Sequence, residues 1–368
     1  MTTFCFVCHP LSLEDVERYE PNAKGKGEPL IRKILEWLPA YNAAHVTGVR
    51  TLDGRETEGW FVMAPLMPDQ MLALPREHVY GLILRAVEIG AELGAGIAGL
   101  GAFTGVVGDG GITIAQRAPI AVTTGNSLTI ATGVRSFFRG AHEMGIDPAQ
   151  ATAVVIGATG SIGSACVELI APRVGRLILV ARNETRLRKA YEALAPGLPC
   201  PASYSTDVAA SVAQADLVLT ATSSTQDVIE PEFLRPGTVV CELSLPHDVS
   251  RRVSLERPDV LVIEGGNLQV PGEMRWDRVR ESGEFSLGLP RGTALACMSE
   301  TMLLALENRR ESYTLGRGID LAKVREIDAL AERAGFRLSD MRAFDKAITR
   351  EKIVATRAAA QRRRALSA

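Results

Sequence analysis

Long apolar runs, an excess of either charge and paired cysteines are all scarce in this chain, and each scarcity removes a class of function. Its 41 Lys plus Arg stand against 43 Asp plus Glu over 368 residues, a formal net charge of −2, so the chain as a whole is not built to hold nucleic acid or another polyanion. Six cysteines scattered over that length make no disulfide framework and fit a reducing cytoplasm. The apolar stretch at 93–103 is dense in glycine, bounded by Glu92 and Asp109, and too short to span a membrane. The amino end carries no charged-then-apolar leader with a cleavage site, so secretion is not expected. Cys5, Cys8 and His9 resemble a metal clip only superficially. Residues three apart on a strand face opposite ways and no second cysteine pair completes four ligands, so no metal site is expected there.

What is present, at 46% hydrophobic residues, is enough apolar material for a sizeable core in two domains. The most informative segment runs from Ala153 through Val154, Val155 and Ile156 into Gly157, Ala158, Thr159, Gly160, Ser161, Ile162 and Gly163. A buried strand here meets three glycines and then a helix. Gly157 permits a tight turn, Gly160 lets backbone approach a phosphate, and Gly163 lets the helix pack on the strand. The helix start then directs its N–H groups and positive dipole end at a dinucleotide pyrophosphate.

A second apolar run, 177–181, follows at the distance of a strand–helix–strand unit, and its tip discriminates between nucleotides. An NAD site places an acid there, whereas this chain reads Ala181, Arg182, Asn183, Glu184. Arg182 suits a 2′-phosphate, which favours NADP(H). The other arrangement leaves Arg182 and Arg186 in solvent while Glu184 turns in to the ribose.

Further strands are predicted at 215–222, 238–243 and 260–263, alternating with helices, and Thr222 and Ser223 fall at a strand end where a cofactor is bordered. The fold class expected is α/β: a Rossmann-type doubly wound parallel sheet, with a second α/β substrate domain built from the N-terminal part and C-terminal helices. The expected domains are 1–147 for substrate and catalysis, 148–289 for NADP, and 290–368 as helices carrying Cys297 and packing back on the first. Within the first, a strand at 3–7, a helix at 30–38, a hairpin turning at Asp53-Gly54 and helices at 78–93 and 128–144 are predicted.

The chemistry falls to the segment 290–307, where Pro290, Gly292 and Thr293 suit a helix entry and Cys297 sits in its first turns. A helix dipole stabilises a thiolate there, and a thiolate attacks acyl carbonyls; small core packing is the plainer role of a helical cysteine.

Five stretches together resemble the long-chain acyl-[acyl-carrier-protein] reductases, aldehyde-forming enzymes of cyanobacterial hydrocarbon synthesis. They are 7–14 (with Cys8 and His9), 100–104, 123–129 (with Thr124, Gly125, Asn126 and Ser127), 157–164, and 296–304 with Cys297 and Glu300. The resemblance runs to about Arg337. It implies that Cys297 is acylated by an acyl-carrier-protein or acyl-CoA thioester and that NADPH then reduces the acyl group to a fatty aldehyde. It also brings Thr124, Asn126 and Ser127 near Cys297 as oxyanion donors, where the alternative is a glycine turn with Ser127 capping the next helix.

Where this family has a lysine the chain has His247, either a proton donor, a phosphate contact or a structural residue. The small-residue run 94–108 lines an acyl tunnel or serves tight helix packing. The Arg-rich carboxyl end (Arg350, Lys352, Arg357, Arg362, Arg363, Arg364) docks an acidic carrier or is a solvated helix. Two other readings stand beside this one: an NADP-dependent dehydrogenase of the shikimate or quinate type that needs no thiol, and a non-catalytic NADP-binding partner of an aldehyde-consuming enzyme.

Overall fold

The computed structural model describes residues 2–280 and 282–367, excepting the side chains of 363, 364, 366 and 367. By contact the chain divides into two units, Met1–Leu128 with Asn267–Arg337, and Thr129–Gly266 with Leu338–Ala368.

In the first unit, strands β1 (Thr3–Cys8), β2 (Tyr41–Arg50), β3 (Glu56–Met63), β4 (Ala95–Leu100) and β5 (Ala121–Thr123) join the strand Gly272–Arg278 in one mixed sheet. β3, β1, β4 and β5 run parallel, while β2 and then Gly272–Arg278 add antiparallel at one edge. The carboxyl ends of the four parallel strands therefore lie side by side, at Met63, Cys8, Leu100 and Thr123. Against this sheet pack the helices Arg76–Glu92 and Ala296–Leu306. Val79, Ile83, Ala86 and Val87 recur at helical spacing and are fully buried, joining Val7, Val62 and Ala98 in one core.

The run 94–108, open between tunnel lining and helix packing, is instead the strand β4 and the turn after it. β4 contributes Ile97 and Leu100 to the core, and the glycines in and after it make room for others: a Cβ at Gly99 or Gly101 would overlap the Phe6 ring, and one at Gly108 the Tyr80 hydroxyl. That space is filled, which removes the tunnel from these positions.

In the second unit, β6 (Thr152–Ile156), β7 (Arg176–Val180), β8 (Ala202–Ser205), β9 (Leu217–Thr220), β10 (Val239–Glu242) and β11 (Leu261–Glu264) form an all-parallel sheet in the order β11-β10-β9-β6-β7-β8. β9 and β10 are buried throughout and β6 at every position after Thr152, as a sheet covered on both faces requires. Strand order reverses between β6 and β9, the point at which a doubly wound sheet opens a ligand crevice. The unit is a Rossmann-type fold.

The units meet along the chain at other places than 147 and 289, for reasons visible in the packing. The helix Asn126–Met144 belongs to the second unit from Thr129 on, with Gly133 against Leu243 and Gly140 against Val239 and Ile263. Residues 267–289 belong to the first, because Gly272–Arg278 pairs with β2. The terminal helix Arg350–Ser367 joins the second unit, where the Arg357 guanidinium donates to the Glu143 carbonyl and caps the end of Asn126–Met144. Arg357 is thus taken up in packing, while the side chains of Arg363 and Arg364 lie outside the described residues. Among the described residues no helix is long and apolar enough to cross a membrane.

Candidate active site

The Cys297 helix, Ala296–Leu306, has buried residues at every position except one. Ala296 and all of Met298 through Leu306 are enclosed, and Cys297 alone keeps partial access. It stands in the helix's first turn, after the short strand Thr293–Leu295 and beside the carboxyl ends of the parallel strands. Gly125 lies directly on it: φ is +73°, and a Cβ there would overlap the Cα, Cβ and carbonyl of Cys297. The stretch from Thr123 to Leu128 and Cys297, about 170 residues apart in sequence, are therefore neighbours in the first unit.

Three backbone N–H groups, of Met298, Cys297 and Ala102, donate toward the sulfur and favour its thiolate. Ala102 reaches it from the turn after β4 with φ of +46°, a conformation unfavourable for a residue with a Cβ. Burial outweighs these donors, and the nearby Glu300 carboxylate opposes them too, so the thiol is pushed up to about 12. The helix-entry donors expected to favour the thiolate are present, and burial outweighs them. Cys8, whose thiol burial likewise pushes up to about 12, lies near enough to feel the Cys297 charge.

Of the expected oxyanion donors, Thr124 is buried and its hydroxyl donates to the Thr314 carbonyl at 3.0 Å. Its proton is committed there. Asn126 begins the helix right after Gly125. Ser127 is fully buried, its Oγ 2.8 Å from Thr314 Oγ1.

The cap of that helix is not Ser127. Glu300, one turn beyond Cys297 and fully buried, reaches across to accept from the Leu128 N–H (2.8 Å), Thr123 Oγ1 (2.5 Å) and Thr314 Oγ1 (3.0 Å). Burial raises its carboxyl above the ordinary range, against those three donors. Replacing Glu300 with Ala strands three buried donors and lowers unfolding free energy by about 3 kcal/mol in a urea titration. Glu300→Gln costs less and speeds alkylation of Cys297, because the opposing charge is gone.

In the second unit, Gly157 turns out of β6 with φ of +85°. A Cβ on Gly163 would overlap the Gly157 carbonyl oxygen, so only glycine lets the helix Ser161–Ile170 sit on this turn. Gly157 and Ala158 donate to the Val180 carbonyl, which fixes the turn against β7. The helix begins at Gly160 with no side chain capping it, which leaves its amino end to an anion. Thr159 and Gly160 complete the approach, with Gly160 exposed. Arg182, just past β7, is exposed and makes no hydrogen bond or ion pair among the described residues. Asn183 caps the next helix, its side chain accepting from the Arg186 N–H at 2.9 Å, and Glu184 follows exposed. These residues fit a dinucleotide cradle, with the Arg182 cation just past the end of β7.

At the neighbouring strand end, Ser223 is exposed and the Thr222 hydroxyl donates to Asp248 Oδ1 at 2.5 Å. Asp248 is fully buried and also takes the Thr220 and Ser244 hydroxyls, so it organises the whole edge. Sequence reading passed over Asp248 and the buried Glu242; each is an isolated acid in an apolar context.

His247 Nδ1 contacts Glu242 Oε2 at 2.7 Å. His247, Glu264 and Asp345 bring potential ligand atoms within 4.8 Å of one another. Each carboxylate already faces a guanidinium, Arg342 at 3.7 Å from Glu264 and Arg251 at 3.2 Å from Asp345, so the cluster balances its charge internally. Burial works against the His247 charge, but the Glu242 hydrogen bond and the surrounding acids prevail and raise its pKa from 6.5 to about 9. The resulting stability is fully present below about 6.5 and lost as pH rises through about 9. Denaturant titrations should show a fall of about 1–3 kcal/mol across that window, and His247→Gln should flatten it.

Comparison with known proteins adds the following. Residues 141–264 match the family profile described as Shikimate / quinate 5-dehydrogenase. The chain is 33% identical over 368 residues to the protein named aminotransferase PigE of Serratia sp., covering 95% of this chain and 41% of that one, so it spans less than half of that relative. It is 28% identical over 300 residues to the long-chain acyl-[acyl-carrier-protein] reductase of Synechococcus elongatus, covering 78% of this chain and 84% of that one, a distant relationship. Among solved structures, shikimate 5-dehydrogenase of Listeria monocytogenes superposes with a TM-score of 0.34 at 11% identity, over 71% of this chain and 86% of the other.

Proposed function

We propose that this chain is an NADPH-dependent oxidoreductase that converts an acyl thioester to an aldehyde through an acyl group carried on Cys297. The observation that carries the reading is the Cys297 helix itself, enclosed everywhere except at a cysteine on which three backbone N–H groups converge. A cysteine serving only as core filler has no need of amides from two separate segments, at Met298 and Ala102, beside its sulfur. The distant relationship to the acyl-carrier-protein reductase supports the same substrate class.

In the first step the Cys297 sulfur forms a bond to the thioester carbonyl carbon, the carbon–sulfur bond to the carrier breaks, and the carrier thiol leaves with the proton. The carrier is an acyl-carrier protein or coenzyme A. As the carbonyl oxygen gains charge, the Ala102 N–H and Asn126 stand at this corner of the unit as candidate donors; Thr124 contributes by holding the Thr314 segment. Burial holds the thiol protonated at rest, so the proton leaves the sulfur as the sulfur attacks, with the departing carrier thiol as its destination. A dinucleotide held by Gly157 through Gly163, with Thr222 and Ser223 at the adjoining strand end, supplies hydride when bound. The first proton having left with the carrier thiol, breakage of the carbon–sulfur bond to Cys297 releases the aldehyde and leaves a thiolate, which takes up a proton from solvent.

Arg182 selects the phosphorylated nucleotide. Arg182→Ala should lower kcat/KM for NADPH by roughly tenfold to a hundredfold and leave that for NADH nearly unchanged, read from initial rates with each.

The match of residues 141–264 favours a second reading, a shikimate- or quinate-type dehydrogenase working without a thiol. The deciding experiment is intact-mass spectrometry of the chain mixed with palmitoyl-CoA and no nucleotide. The proposal requires a gain of one acyl group that Cys297→Ala loses. An unchanged mass rejects it. The relationship to a protein named an aminotransferase supports an aldehyde-consuming partner, since an aldehyde is the acceptor for amination.

A further inference from the structure

His9 is absorbed by none of the roles above, yet it is fully buried at the carboxyl end of β1, next to Cys8. Its two ring nitrogens are both spoken for. Nε2 accepts from the Phe103 N–H at 3.0 Å, which assigns the proton to Nδ1, and Nδ1 donates to the Pro10 carbonyl at 3.0 Å. The ring also stands edge-on to Phe103, with centroids 6.1 Å apart. Burial pushes its pKa down to about 4, although the Pro10 and Leu66 carbonyls pull the other way. A second proton would face an N–H, so the ring stays neutral at any working pH.

The residue His9 holds is next to the one that matters. Phe103 follows Ala102, whose N–H donates toward the Cys297 sulfur from a left-handed conformation. An alanine at φ of +46° relaxes unless its neighbours prevent it. The turn is pinned on one side by the Gly101 N–H to the Val7 carbonyl (2.8 Å) and by Thr104 Oγ1 to the Gly101 carbonyl (2.7 Å). Within the turn the Thr104 N–H donates to the Gly101 carbonyl (3.1 Å) and the Val107 N–H to the Phe103 carbonyl (2.9 Å), and His9 ties the Phe103 N–H, on the far side of Ala102, to the end of β1.

We propose that His9 is a positioning residue: by accepting from the Phe103 amide it locks the turn after β4 so that the Ala102 N–H stays aimed at Cys297 and at the oxygen that becomes negative when the sulfur attacks. It touches neither substrate nor sulfur and transfers no proton. This rests on Cys297 being the acylated nucleophile, and the test keeps the two claims apart.

His9→Gln and His9→Asn are the informative pair. A glutamine places its amide oxygen where Nε2 stood and can still accept from Phe103. An asparagine reaches only the Nδ1 position, satisfies Pro10 and leaves the Phe103 N–H without a partner. Both are polar and of similar bulk, and thermal melts of the two should agree. The rate of Cys297 acylation by palmitoyl-CoA, without nucleotide, is followed by rapid quench and intact mass across pH 6 to 10. His9→Gln should stay within about tenfold of the parent chain, and His9→Asn should fall roughly a hundredfold or more, the cost of losing one aimed donor. The shape of the pH profile should be the same in all three. Equal rates in the two variants at equal melting temperature overturn the proposal, as does an ionisation in the parent profile that both variants lose, which makes His9 a base. Absence of any adduct on the parent chain overturns the Cys297 reading instead; iodoacetamide alkylation of Cys297 then still ranks the two variants.

Discussion

Cys297→Ala should abolish aldehyde formation, lowering kcat/KM by at least ~10⁴-fold, while NADPH binding measured by fluorescence titration stays within error. The size of the effect follows from the step that is lost: without sulfur there is no acyl-enzyme, and the residual rate is that of a thioester left in water. Retention of NADPH binding follows from placement, since Cys297 belongs to the first unit and the glycine turn to the second. The same residue gives a pH prediction. With the thiol held up to about 12, alkylation by iodoacetamide should quicken about tenfold per pH unit from 7 to 10 rather than level off near neutrality. A variant that keeps its activity would place this chain with dehydrogenases that use no thiol.

Gly163→Ala should weaken NADPH binding by about a hundredfold and destabilise the second unit by about 1–3 kcal/mol. One methyl group has this reach because the atom it meets is the Gly157 carbonyl oxygen. Side chains can rotate away; this oxygen is part of the turn whose next amides are tied to Val180. The helix must back off the turn, carrying its amino end away from the pyrophosphate. Isothermal titration with NADPH, together with a denaturant melt, separates the loss of affinity from the loss of stability. An unchanged affinity would mean that the glycine turn is a packing device and nothing more.

The Rossmann half was legible because its signal is local. Apolar β6, three glycines and the helix are contiguous, and each has a physical reason to follow the last. The hairpin at Asp53-Gly54 and the helix around 78–93 were legible for the same reason. β4 was not, because glycine and alanine carry no periodicity, and what makes that run a strand is Phe6 filling the gaps from β1. Nor could sequence place 267–289, whose strand is decided by an edge of β2 more than 200 residues earlier.

At the site, residue types were readable and their company was not. Gly125 against Cys297 and Glu300 capping the helix at Leu128 are contacts across about 170 residues, and an isolated glycine or glutamate does not announce such a partner. Ala102 gives no sign at all: its left-handed backbone is imposed on an ordinary alanine by the surrounding turn.

The central claim is that the acyl group on Cys297 is the species reduced. The chain is first acylated with palmitoyl-CoA, freed of excess thioester by gel filtration, and mixed with NADPH in a rapid-quench instrument. One equivalent of aldehyde and one of NADP⁺ should appear for each adduct lost from Cys297, at a rate no slower than steady-state turnover. An adduct that persists while NADPH is oxidised, or one that decays to free acid with NADPH untouched, contradicts the account.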